Sequence, residues 1–307
     1  MMIRKLPTTL LSLCLLLPFP LVRAQQPSTS TTAQPQPAPA PSQAPAPAAQ
    51  PETPLNTSDN QASIQLFYWA PFNKQPDLLG GAANVGPYLG NLNYPGKPKL
   101  APGAEISLPA GHNNTVRVSY FRVQGNGNES SPANLTLFNT DYAPGDYLVT
   151  SYTLQDVKIS YDFLSYPYPA DPNRFRFNTL WGVQYTTIQT SIDAPLKAVT
   201  LDANGNPISN TATGTRWLIY PSIGVGIEKA LTPHFRVEAQ ASGFAFPHHD
   251  VIYDAEASAV FRTGRYEVAV GAKLFHFKTS PQNAQYFVAT YPGVFVAFRY
   301  YPKWIWK

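Results

Sequence analysis

Histidine, serine and acidic side chains are where catalysis would start. The chain has five histidines, His112, His234, His248, His249 and His276. Acyl transfer or hydrolysis needs a nucleophile with a base beside it. No Gly-x-Ser-x-Gly elbow accompanies these histidines. His248 with Ser242 or Ser280 is the pairing chain order would allow at one rim, and nothing else in the sequence supports it. His248-His249-Asp250 offers imidazole and carboxylate to zinc or copper, but a metal centre needs three or four placed ligands. Adjacent histidines after Pro247 point apart, so a plain turn is the reading. No catalytic, metal or cofactor residue is assigned, and the chain is read as a non-enzyme.

Charged residues make a second set. Arg117, Lys158, Arg176, Arg216, Arg236, Lys273 and Arg299 stand with Asp156, Asp162, Glu228, Glu238, Asp254, Glu256 and Glu267. Each falls on the polar phase of a two-residue alternation. If that phase lines a narrow interior, the charges must pair, because an unpaired buried charge is very costly. Small barrels are roughly filled by their own side chains. Structural filling is therefore preferred over a selective pore or a proton path.

The positioning elements are strands. From Thr115 onward strict alternation dominates, the period of a strand with two unlike faces. Val116, Val118 and Tyr120 alternate with Arg117 and Ser119; Val157, Ile159, Tyr161 and Phe163 alternate with Asp156, Lys158, Ser160 and Asp162. The pattern repeats over Arg174–Ile188, Arg216–Glu228, Phe235–Ser242, Val251–Arg262, Tyr266–Leu274 and Gly293–Tyr300. In these eight segments the apolar phase holds no Asp, Glu, Lys or Arg, and His276 is its one readily titratable group. Tyr152 and Leu154 are out of phase with Val157, which predicts a β-bulge near Gln155.

A soluble lipocalin-like barrel also alternates, with its apolar face inward. Three features favour lipid outside. Gly182, Gly224, Gly226, Gly271 and Gly293 lie on the polar phase, where they leave room for long Arg and Glu side chains. Several strands exceed ten residues, enough to cross a bilayer at a tilt. Tyr161, Phe163, Tyr166, Phe175, Phe177, Tyr300, Tyr301 and Trp304 gather at strand ends like interfacial girdles. Short turns at Thr263-Gly264, Ala230–His234 and Pro167–Asn173 alternate with longer connections at Gly125–Asp146 and Thr190–Gly214, the expected inner and outer ends. Pro247–Asp250 is a short outer connection. Ile64–Trp69 and Ala104–Leu108 would bring the count to ten strands, with Pro71–Pro102 as a first outer loop able to fold inward as a partial plug. Omitting them leaves eight.

Upstream, Arg4-Lys5, the apolar stretch Leu10–Leu21 and Val22-Arg23-Ala24 read as a signal peptide cleaved before Gln25. The one cysteine, Cys14, lies within it, so the mature chain forms no disulfide. Residues 25–61, rich in Gln, Pro, Ala, Ser and Thr, cannot bury enough apolar surface to offset ordering entropy. They read as a disordered, semi-rigid tether that could lie against the cell wall. Residues 62–301 are the barrel and 302–307 a tail. The net charge of +4 is unclustered, which gives no reason to expect nucleic acid.

The signal, linker, alternating strands and aromatic last strand (Val294–Tyr301) resemble outer-membrane β-barrels of the OmpA and opacity-protein type. The resemblance is architectural and covers about 62–301. It implies an all-β, antiparallel, up-and-down transmembrane barrel in a Gram-negative-type outer membrane. It also implies a monomer, with lipid and the assembly machinery as its partners. Pro302–Lys307 extend past the aromatic on which such barrels often end. The expected role is structural or surface-interacting, with porin-like conduction of small solutes or ions as the alternative. A soluble periplasmic barrel for an apolar ligand is the third possibility.

Overall fold

The structure, a computed structural model, describes residues 61–72, 76–80, 92–93, 96–111, 114–132, 134–138, 140–166, 174–201, 203–246, 250–279 and 285–302. The signal peptide, nearly all of the linker, most of the tail, His112, His248 and His249 lie outside them. No helix is long and apolar enough to cross a membrane, which says nothing about crossing by strands.

Ten antiparallel strands close into a barrel. They are β1 (Ser63–Pro71), β2 (Ala101–Pro109), β3 (Thr115–Ser130), β4 (Tyr147–Tyr166) and β5 (Arg176–Asp193). Then come β6 (Thr211–Thr232), β7 (Phe235–Ala245), β8 (Val251–Thr263), β9 (Tyr266–Lys278) and β10 (Gln285–Tyr300). Each strand pairs with the next in sequence, and β1 closes on β10 from Ile64↔Tyr300 to Pro71↔Gly293. The ten-stranded reading therefore holds, and the two weak N-terminal segments are the strands that complete the ring. Closure leaves no free edge around it.

The alternation maps onto the wall. Trp181, Val183, Tyr185, Ile219, Ile223 and Val225 face outward and are exposed, whereas Gln184, Ser222 and Glu228 face inward and are buried. The outward apolar run covers eleven residues in Phe175–Tyr185, Trp217–Ile227, Val251–Phe261 and Tyr266–His276. At the usual strand tilt eleven residues match an apolar band about 25 Å tall. Tyr266 lies 5.3 Å from Tyr300 and Tyr166 lies 6.1 Å from Phe177, ring to ring, at the inner margin. Tyr253 stacks on His276 at 4.5 Å near the outer margin. Tyr301 departs from the girdle reading: it is buried, with the Arg262 guanidinium 4.3 Å from its ring. Trp304 lies outside the described residues.

Four expectations need correction. First, there is no bulge at Gln155. β4 pairs with β3 in unbroken register from Ser130↔Tyr147 to Thr115↔Asp162, and the register shift it does show lies at Phe177/Asn178. Tyr152 and Leu154 turn inward beside Asp156 because the interior is apolar at that height. Second, the strands are longer. β2 starts at Ala101, β3 runs to Ser130, β5 to Asp193, and β6 begins at Thr211. Third, the described parts of 71–102 extend the wall rather than plug it. Asp77–Gly80 pairs with the start of β10, Leu92–Asn93 pairs with Asp77–Gly80, and Lys97–Pro98 pairs with Asn126 and Gly125 of β3. Fourth, several glycines accommodate neighbours other than long charged chains. A Cβ on Gly103, Gly125 or Gly214 would enter the rings of Phe67, Tyr152 or Phe138, and one on Gly224 would meet the Ala241 carbonyl at 2.3 Å.

The wall is lopsided. β3 to β6 have 16 to 22 residues, whereas β7 to β9 have 11 to 13. The β6–β7 ladder begins only at Ile223↔Gly243, so Thr211–Ser222 pairs with β5 alone. Pro221 sits where the ladders part, a place that tolerates a missing N–H. The long strands thus form a projecting panel. Its outward face changes character beyond Tyr120, Val157, Tyr185 and Ile219, which share one register row. The next row is Arg122, Gln155, Thr187 and Trp217; beyond it come Gln124, Thr153, Gln189 and Thr215, then Asn126, Ser151, Ser191 and Thr213.

Candidate functional site

The barrel interior has two storeys, charged towards the inner end and aromatic towards the outer end. The lower layer is built from alternate positions of six strands. Arg236 of β7, with no exposed side-chain surface, grips Glu267 of β9 in a bidentate pair at 2.5 and 2.8 Å. Its Nε also lies 3.4 Å from Glu238 and 4.0 Å from Glu228. Arg299 of β10 binds the second Glu267 oxygen at 3.2 Å and reaches Glu105 of β2 at 3.8 Å. Arg117 binds Asp162 at 2.5 Å and lies 3.8 Å from Glu105. Arg176 approaches Glu228 at 3.8 Å, and Arg262 approaches Glu267 at 3.7 Å. Guanidinium groups suit this layer because their planar fork can satisfy two carboxylates at once.

One level outward the cations are lysines. The Lys158 ammonium donates to Ser242 Oγ at 2.5 Å and to both Asp254 oxygens, at 3.0 and 3.2 Å. Ser242 in turn donates to Asp254 at 2.6 Å. Lys273 pairs with Glu256, which also accepts from Gln240 at 3.3 Å. Asp156 accepts from Thr186 at 2.5 Å and from Gln184 at 3.0 Å. Two cavities of about 40 and 30 Å³ remain among these residues. Each has room for only a water or two.

Above the lysines the lining turns apolar. Lys273 carries the transition, its ammonium 5.2 Å from the Phe121 ring and 5.8 Å from Trp69. Trp69 meets Phe121 edge-on at 5.6 Å, and Phe121 meets Phe275 at 5.0 Å. Tyr291 lies 6.3 Å from Trp69 and 6.5 Å from Tyr152. These contacts bring β1, β3, β4, β9 and β10 together across the interior. The connection after β3 then folds as a small hairpin, Leu135–Leu137 against Thr140–Tyr142. It buries Leu135, Leu137 and Tyr142 over the mouth, and the Tyr142 hydroxyl donates to the Ile192 carbonyl at 3.0 Å. Phe138, at a positive φ of 48°, stacks on Phe287 at 6.3 Å.

All fourteen lumen residues named from the sequence project inward. Arg216 stands apart from the network: half-buried near the outer end of β6, it donates to the Thr215 carbonyl at 3.2 Å. Sequence reading missed Glu105, because β2 was read as the short Ala104–Leu108 with no phase assigned. It missed Arg262 as a network member, although Arg262 shares the phase of Asp254 and Glu256. It missed the aromatic storey altogether. A signal was present: Phe275 and Phe277 share the phase of Lys273, and Tyr291 that of Gly293. Ser242 points into the lumen, His234 bonds through Nδ1 to the Arg262 carbonyl at 3.0 Å, and His276 faces outward with Nδ1 2.8 Å from Thr290 Oγ1. Ser280 lies outside the described residues. Among the described residues no cluster of His, Cys, Asp and Glu could hold a metal ion.

No family model and no curated protein matches the sequence. Solved structures do. The outer membrane protease OmpT of Escherichia coli superposes with a TM-score of 0.55 at 10% identity, over 81% of this chain and 99% of that one. The fold is that of an outer-membrane β-barrel. Ail, the attachment invasion locus protein of Yersinia pestis, is 8% identical with a TM-score of 0.33, over 79% of this barrel's chain and 99% of its own. The N-terminal β-barrel domain of Pseudomonas aeruginosa OprF is 11% identical with a TM-score of 0.28, over 79% and 98%.

Proposed function

We propose that this protein is exported to a Gram-negative-type outer membrane. There it serves as a closed, non-enzymatic barrel that anchors and presents a surface rather than conducting. The occluded interior carries this reading. A solute entering from the outer end meets the Leu135–Tyr142 hairpin, then the Trp69–Phe121–Phe275 lattice, then the lysine layer, then the Arg236–Glu267 layer. Residual cavities of about 40 and 30 Å³ are far too small for a continuous path. Outer-membrane location is supported by the fold and by the charge-free apolar band.

The non-enzymatic reading rests on access. The nearest approach to an activated hydroxyl among the described residues is Ser242 beside Lys158. Lys158 is held charged by Asp254, so it is no base, and both lie beneath the aromatic lattice. The signal and linker complete the proposal: residues 1–24 direct export, and residues 25–61 tether the barrel on its periplasmic side, within reach of the cell wall. The barrel acts as a monomer and enters the membrane through the barrel-assembly machinery.

Planar-bilayer recording and liposome swelling test the closed lumen. The purified protein is expected to give no steady conductance and no swelling with small sugars. Sustained ion-selective steps would establish the pore alternative instead.

A further inference from the structure

The projecting panel has an outward face that the closed-lumen reading does not use. Up to Tyr120, Val157, Tyr185 and Ile219 that face is apolar, as lipid contact requires. Immediately beyond, it carries two register rows made wholly of Ser, Thr, Asn and Gln, four strands wide. A groove of about 430 Å³ runs among them, lined by Thr153, Gln189, Ser191 and Thr213 together with their neighbours. This surface points sideways, along the membrane plane, so it meets whatever fills the layer just outside the hydrocarbon. It is also nearly uncharged, unlike an ordinary solvated strand face.

One cation stands at its lower border. Arg122 faces outward two residues beyond Tyr120, and its register partner is Gln155. It belongs to no ion pair among the described residues, and its Nε is buried without a hydrogen-bond partner. Every arginine of the lower lumen layer, by contrast, has a carboxylate. An unpaired arginine at the margin of an apolar band, below a field of hydroxyls and amides, fits an anionic group at the interface joined to a polyhydroxy group above it. A guanidinium binds phosphate oxygens through its planar fork. Rows of hydroxyls and amides supply donors and acceptors to sugar hydroxyls.

We propose that the panel's outward face binds the phosphorylated saccharide headgroup of an outer-leaflet glycolipid, with Arg122 on a phosphate and the two polar rows on the sugars. This rests on the reading that the loop-bearing end of the barrel faces outward. Cleavage of the 131–146 connection by protease added to whole cells tests that orientation separately.

The test uses the full mature chain in a neutral detergent, titrated with lipopolysaccharide, with dephosphorylated lipopolysaccharide and with phosphatidylglycerol. Binding is followed by native mass spectrometry. Lipopolysaccharide is expected to bind more tightly than either comparator. Arg122→Gln should weaken lipopolysaccharide binding roughly tenfold, the loss of one charge-assisted contact. The pair Thr153→Ala/Gln189→Ala should weaken lipopolysaccharide severalfold and leave phosphatidylglycerol unchanged. Heat-modifiable gel mobility confirms that each variant is folded. Equal binding of phosphatidylglycerol and lipopolysaccharide by the unaltered protein would overturn the proposal. So would folded variants that bind lipopolysaccharide as the parent does.

Discussion

Arg236 shows how a single residue is committed by its surroundings. Its guanidinium has no exposed surface and faces Glu267, Glu238 and Glu228. Removing it strands acidic groups away from water, so Arg236→Gln should destabilise the barrel by about 3–5 kcal/mol. Urea unfolding from vesicles, read by tryptophan fluorescence, measures this. Replacing both partners, Arg236→Met with Glu267→Met, should recover part of the loss, because the stranded charge costs more than the pair contributes. Tyr142 makes a second case, outside the spanning strands. Burial pushes its hydroxyl up to about 12 from an ordinary 10.0; the backbone of Ala212 opposes the shift and Asp193 adds to it. The folded hairpin therefore prefers the protonated phenol. Its contribution is complete below pH 10 and fades as the pH rises towards 12. Limited proteolysis of the 131–146 connection should show an alkaline opening over that range. Tyr142→Phe should lose this step.

At the scale of elements, β4 and the hairpin after β3 do most to close the interior. β4 keeps one unbroken phase for twenty residues, so Leu148, Tyr152 and Leu154 line the same interior as Asp156 and Lys158. What changes along the strand is the chemistry of the lumen, not the direction of the side chains. The hairpin covers that apolar half, and the aromatic lattice beneath it is an independent seal. Deleting 132–143 should therefore raise protease access without giving steady conductance. Adding Trp69→Ala, Phe121→Ala and Tyr291→Ala to the deletion should give current steps in a planar bilayer. Steps from the deletion alone would place the seal in the hairpin. Gly125 couples the two: a Cβ there would lie 2.3 Å from the Tyr152 ring, so Gly125→Val should displace Tyr152 and cost about 1–3 kcal/mol by overpacking.

Across the whole molecule, closure is the decisive feature. β1 meets β2 on one side and β10 on the other. A chain lacking 62–72 would expose two unpaired strand edges in lipid, where unsatisfied backbone groups are very costly. Such a chain should fail to reach the heat-modifiable folded form in vesicles, whereas the full chain should reach it. The eight C-terminal strands were legible because they carry a long, charge-free apolar phase. β1 and β2 were less legible. They have nine residues each, and β2 holds Pro102, Gly103 and Glu105 among its apolar positions. Their strand character comes mainly from the neighbours on either side.

The residues by themselves determined that the chain alternates, that one phase is free of charge and that the charges share the other. Side-chain period alone dictates those properties, and they imply a lipid-facing barrel. Three things were decided by tertiary structure: the second storey of the lumen, the strand count and the composition of the ion-pair layer. Each depends on which rows of different strands meet across the barrel. Glu105 reaches Arg117 and Arg299 only after β2 has settled beside β3 and β1 has closed on β10. Register and shear bring together residues far apart in sequence, and alternation within one strand carries no information about either.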